Sequence, residues 1–112
     1  MIEKVILGID PGTTIMGFGI ISVKDRKMSL IEMNELNLTK HKDHYLKLKL
    51  VFERTISLID DFNPDEIAIE APFFGKNIQS MLKLGRAQGI AMAAGLSREI
   101  PITEYSLSLI HI

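Results

Sequence analysis

Residues Val5–Thr14, VILGIDPGTT, join an unbroken apolar run to a carboxylate and a Pro-Gly turn. A run that is short and apolar throughout suits a strand covered on both faces, which puts Asp10 at the strand's C-terminal edge rather than inside the core. That edge is where open α/β sheets hold ligands. Pro11 fixes its own φ, and Gly12 is free to take a φ that other residues avoid, so the chain turns away sharply and leaves the carboxylate exposed. The hydroxyls of Thr13 and Thr14 stand beside it. Taken alone, the heptapeptide GIDPGTT fits an Asx-type turn equally well, with Asp10 doing no more than opening a bend.

The segments that follow make that edge a place where two carboxylates meet. Gly17–Val23 and Met28–Leu38 are strand-like and are separated by the charged turn Lys24, Asp25, Arg26, Lys27, giving three antiparallel strands. From His44 to Asp61, apolar residues at Leu48, Val51, Phe52, Thr55, Ile56 and Ile59 keep helical spacing until Asn63-Pro64 stops the run. Asp65–Glu70, DEIAIE, is a short strand that the helix can return parallel to the first. Asn77 can cap a second helix running to about Arg98, and Ile102–Tyr105 gives a final strand after Pro101. The order β-β-β-α-β-α-β implies an α/β fold, a mixed sheet with helices packed on it.

Asp10 and Glu70 end two strands of like direction. Adjacent carboxylates repel and raise each other's pKa, an arrangement that costs stability unless a cation lies between them. Mg²⁺ suits such a pair, because it takes oxygen ligands and often only one or two carboxylates, filling its shell with water and substrate phosphates. Metal-assisted phosphodiester chemistry follows as the expectation.

The composition sets bounds on this reading. The chain has 112 residues, enough for one domain with a real core, and its 46% apolar and 24% charged residues are those of a folded globular protein. Without cysteine there is no disulfide and no thiolate zinc site, and His41, His44 and His111 are too scattered for a zinc centre. No apolar run approaches the length of a membrane span and the N-terminus does not read as a leader, so a cytoplasmic location is expected. A net charge of −1 exerts no global pull on nucleic acid, so any DNA-binding surface must be a local patch.

The second helix supplies such a patch. Lys76, Gln79, Lys83 and Arg86 fall within an arc of about 80° at 100° per residue. Ile78, Met81, Leu82, Gly85, Gly89, Met92 and Leu96 occupy another side, where two glycines four apart admit close packing by either the core or a second copy. Phe73 and Phe74 sit in a turn beside Glu70, where an exposed ring can stack on an unpaired base or both rings can cap the core. Lys40, Lys42, Lys47 and Lys49 form a second basic concentration at the start of the first helix, within reach of phosphates or simply solvated.

Four segments in order, GIDPGTTIMGFGII (8–21), LKLVFERTISLIDDFNPDEIAIE (48–70), FFGKNIQSMLKLGRAQGIAMAA (73–94) and PITEY (101–105), resemble the RuvC family of bacterial Holliday junction resolvases, within the ribonuclease H-like superfamily. The resemblance implies a ribonuclease H-like fold and a homodimer that binds four-way junction DNA. It further implies Mg²⁺-dependent nicking of two symmetric strands in recombination and repair, beside the branch-migration proteins RuvA and RuvB. Asp10 and Glu70 match the family's first two catalytic, metal-binding carboxylates. Phe73 and Phe74 match the turn set against unpaired bases, and Lys76, Asn77, Lys83 and Arg86 lie on the DNA side by the same likeness.

The family completes its site with two further acidic residues, or a histidine and an aspartate, on a C-terminal helix for which this sequence shows no counterpart. Residues 1–106 are therefore expected to be a truncated nuclease domain, weakly active or inactive. Residues 107–112 are expected to be a non-native tail, since Leu107–Ile112 can be encoded by codons that spell a transposon-type sequencing adapter. The alternative from another class is a catalytically inert, dimeric branched-DNA-binding module. A third, a phosphate loop of an actin-like ATPase, needs a chain several times longer.

Overall fold

A computed structural model describes residues 3–10, 12, 14–71 and 77–105; Phe73, Phe74, Lys76 and the expected tail 107–112 lie outside the described residues. The elements are β1 (Glu3–Asp10), β2 (Ile15–Lys24), β3 (Lys27–Asn37), α1 (His44–Phe62), β4 (Glu66–Glu70), α2 (Ile78–Ser97) and β5 (Ile102–Tyr105), in the order expected from the sequence. The strands form one sheet in the order β3-β2-β1-β4-β5. β1 is antiparallel to β2 and parallel to β4, so it is the strand at which the sheet changes direction.

The β2–β3 hairpin closes through Asp25 and Arg26, with φ of 51° and 66°. Two left-handed residues are what a two-residue turn needs to match the twist of its strands, and here neither is glycine. α1 starts on Asp43, whose carboxylate accepts from the Tyr45 N–H, and ends on Asn63 in the left-handed region, just before Pro64. α2 starts on Asn77 and closes with the Ile100 N–H on the Gly95 carbonyl and the Glu99 N–H on the Leu96 carbonyl. Glu99, at φ 59°, holds the left-handed position of that closure.

Both helices cover the same face of the sheet. Leu7, Ile9, Met16, Phe18, Ile20, Ile67 and Ile69 point into a core completed by Val51, Leu58 and Ile59 from α1 and by Ala87 and Ala91 from α2. The small residues let α2 lie close to the sheet. At Gly95 a Cβ would stand 2.5 Å from Ile67 Cδ1, leaving no room for a side chain without a shift.

Four expectations are corrected. β1 is not covered on both faces among the described residues: Leu7 and Ile9 are buried under the helices, while Ile6 and Gly8 are only half-buried on the other side, shielded by flanking strands. Gly12 is required for space rather than for φ; no described glycine has a positive φ, and a Cβ at Gly12 would collide with the Ile15 carbonyl. Phe52 is exposed on α1 and Leu58 takes its place in the core. Gly85 and Gly89 do not serve the core either, because they are exposed with nothing near enough to touch an added Cβ.

Candidate active site

The parallel register of β1 and β4 pairs Ile9 with Ile69, so the next residue of each strand, Asp10 and Glu70, emerges at the same edge. Alternation fixes the face as well. Ile9 and Ile69 point into the core, so Asp10 and Glu70 point away from the helices. Across from Asp10 on β2 stands Gly17, where a Cβ would lie 3.6 Å from the Asp10 Cβ, and its absence keeps the space beside the carboxylate free.

The two carboxyl groups are within hydrogen-bonding reach. Partial burial, then the hydrogen bond that the protonated Glu70 carboxyl can donate to Asp10, then the Asp10 charge push Glu70 above the ordinary carboxylate range. A raised carboxylate at a sheet edge fits a cation between the two groups, and the donor set is all oxygen. Among the described residues no cluster of three or more His, Cys, Asp or Glu is poised for a metal, so the pair supplies only part of a coordination shell.

One contributor escaped the sequence reading. Gln88 of α2 is buried, and its amide donates to Glu104 Oε2 of β5 at 3.1 Å and, more weakly, to the Glu70 carbonyl at 3.4 Å. It ties the helix to the strand end that presents Glu70. The signal was in the sequence: Leu84, Gln88, Ala91 and Gly95 keep core spacing, and Gln88 is the polar member.

Of the other expected residues, Asn77, Lys83 and Arg86 are described. Asn77 uses its side-chain carbonyl to cap α2, accepting from the N–H groups of Gln79 at 2.9 Å and Ser80 at 3.3 Å. Lys83 and Arg86 are exposed on the same helix, about 60° from one another by spacing. Phe73, Phe74 and Lys76 belong to the segment outside the described residues.

Comparison with known proteins identifies the lineage of this arrangement. The family of crossover junction endodeoxyribonuclease RuvC matches residues 6–111. The chain belongs to the RuvC family. Members of this family are metal-dependent nucleases. The RuvC of Christiangramia forsetii is 80% identical over 103 residues, covering 92% of this chain and 54% of that protein. The RuvC of Bacteroides fragilis is 64% identical over 104 residues, covering 93% of this chain and 55% of that protein. The structure of T. thermophilus RuvC in complex with Holliday junction substrate superposes with a TM-score of 0.84 at 24% identity, covering 91% of this chain and 65% of that one, and shares the ribonuclease H-like fold. The chain thus spans about half the length of the curated relatives it matches.

Proposed function

We propose that this chain is the N-terminal part of a Holliday junction resolvase, a Mg²⁺-dependent endonuclease that nicks two symmetric strands of four-way DNA in recombination and repair. The observation that carries the reading is the Asp10–Glu70 pair at the edge where β1 and β4 end, with Glu70 pushed up first by burial and then by Asp10. Asp10 and Glu70 would hold the cation, which supplies Lewis-acid polarisation of the scissile phosphodiester when bound. Lys83 and Arg86 set cationic groups along the same side of α2, and Asn77 keeps its amide N–H₂ free to donate to DNA. Phe73 and Phe74 would stack on unpaired bases and Lys76 would pair with backbone phosphate.

The remaining metal ligands belong to a C-terminal helix, and the open face of the sheet offers it a seat. Leu30 and Met33, 59% and 72% exposed, border Asp10, Gly17 and Gly19 in a shallow depression there. The homodimer is supported by α2. Ile78, Leu82 and Leu96 are 75%, 56% and 63% exposed and share a stripe with the open Gly85 and Gly89, where a second helix can approach closely. RuvA and RuvB are the partners the family relationship adds, with action in the cytoplasm; no helix among the described residues is long and apolar enough to cross a membrane.

The two-carboxylate shell also favours a second reading, in which these 112 residues bind branched DNA without cutting it. One experiment separates the two: cleavage of a labelled synthetic four-way junction in Mg²⁺ by this chain and by a version extended with a relative's C-terminal half. Symmetric nicks by the extended protein, lost in its Asp10→Asn variant with junction binding retained, are expected. Binding by both with cleavage by neither would establish the inert module, and binding by neither would overturn the nucleic-acid reading.

A further inference from the structure

A cleft of about 240 Å³ lies between the N-terminal parts of α1 and α2 and the turn that follows Asp10. Its walls bring together Lys42, His44 and Lys47 from the start of α1, Ser80 and Lys83 from the start of α2, and Gly12 and Thr14 from the turn. Among the described residues no carboxylate lines it, and its floor is the apolar core at Leu38, Val51 and Ala87. The sequence offers four lysines around this point, and the fold sorts them: Lys42 and Lys47 enter the cleft, while Lys40 and Lys49 stand exposed outside it.

None of the cleft lysines takes part in an ion pair among the described residues. Both ion pairs among the described residues lie elsewhere, Lys4 with Glu66 and Arg98 with Asp60. Lys47 is half-buried, where an unpaired ammonium costs more than one in open water. His44 carries the one buried side-chain nitrogen or oxygen, Nε2, that lacks a hydrogen-bond partner among the described residues. The positive end of α1 is met by the Asp43 carboxylate at its cap, whereas α2 has no acidic residue in its first turn and is capped by the neutral Asn77. Three ammonium groups, two hydroxyls and an unsatisfied imidazole around the rim of one cleft form a donor set for an anion.

We infer that this cleft seats one backbone phosphate of the DNA, displaced along the strand from the phosphate at Asp10 and Glu70. The inference rests on the nucleic-acid reading above and adds a second fixed point on the substrate. Thr14 lies four residues beyond Asp10, and its carbonyl accepts from the Leu38 N–H at 2.7 Å, which ties the turn to the end of β3. Asp10 of the metal pair and Thr14 of the cleft are thus close neighbours in the chain, with Thr14 anchored to Leu38. A strand gripped at two phosphates is fixed in both position and direction, whereas one grip leaves it free to pivot.

The test is the salt dependence of four-way junction binding by the full chain, compared among wild type, Lys42→Gln, Lys47→Gln and the double variant. One phosphate contact contributes about 0.9 to the slope of log K against log salt. Each single variant is expected to lower that slope by about 1, and the double variant by no more than either single, because both lysines serve the same phosphate. Lys47→Arg should restore it. His44 is the local reporter, its ring resonances moving when junction is added to the wild type. Unchanged slopes, or a still ring, would overturn the seat while leaving the nuclease reading intact. Additive losses would mean two separate phosphates on an open surface and would overturn it too. Absence of salt-dependent binding by the wild type would overturn both.

Discussion

β1 and β4 each present two surfaces built on opposite terms. Toward the helices they set Leu7, Ile9, Ile67 and Ile69, all essentially inaccessible to solvent. On the other side the same strands set Gly8, Ala68 and the paired acids Asp10 and Glu70, and β2 and β3 add Gly17, Gly19, Leu30 and Met33. One face spends its side chains on packing; the other keeps them small or charged and leaves space. Because neighbouring residues alternate between these faces, the rigidity that fixes Asp10 and Glu70 comes from residues one step away in sequence.

The strongest way to break this contrast is to truncate one residue on each side. Ile69→Ala should cost about 2–5 kcal/mol, as expected for a large side chain removed from a closed core. Met33→Ala, on the open face, should stay within about 0.5 kcal/mol. Urea denaturation of the two variants reads the difference directly. Comparable losses would mean that the second face is also packed.

A smaller effect is expected where the covered face is tightest. Gly95→Ala places a methyl against Ile67 Cδ1 and should cost about 1–3 kcal/mol by overpacking, partly relieved because that atom ends a flexible side chain. Gly89→Ala, six residues earlier and open, should instead gain up to about 1 kcal/mol from helix propensity. Thermal unfolding of both variants under conditions that keep the chain monomeric would check the opposite signs.

The smallest effect sharpens the role of the acids. Glu70 holds its proton to higher pH when folded than when unfolded, so the folded state is favoured below the ordinary glutamate range and loses stability as pH rises through the raised value. Without divalent cation, wild type should therefore weaken across that window, and Glu70→Gln should weaken less. Unfolding midpoints measured from about pH 4 to about pH 8 test the sign. A steeper loss in the variant would show that the carboxylates support the fold instead of straining it.

Much of this was legible because the relevant signals are local. Asn63-Pro64 and Pro101 mark ends, β5 falls on Ile102–Tyr105 as read, and the two acids lie at strand ends that a parallel return brings side by side. What was not legible depends on which side of an element meets a partner. The glycines at 85, 89 and 95 look alike in a helical pattern, yet only Gly95 meets the sheet, since that choice is set by how α2 lies across β4 and β5. His44 and Lys47 likewise read as solvated until α1 and α2 are laid together and close a cleft around them.

The contact at Gly95 also sets a tolerance. α2 is pinned to Ile67 near its C-terminal end, while Lys83 lies twelve residues back along the same rigid rod, about 18 Å from that pivot at 1.5 Å per residue. A tilt of about 3° there swings Lys83 by about 1 Å, which on the proposed phosphate seat is large enough to shift the strand held there. Aim at one end of this helix is thus calibrated at the other, and a mutation buried far from the DNA can register first as a loss of accuracy in where the strand is held.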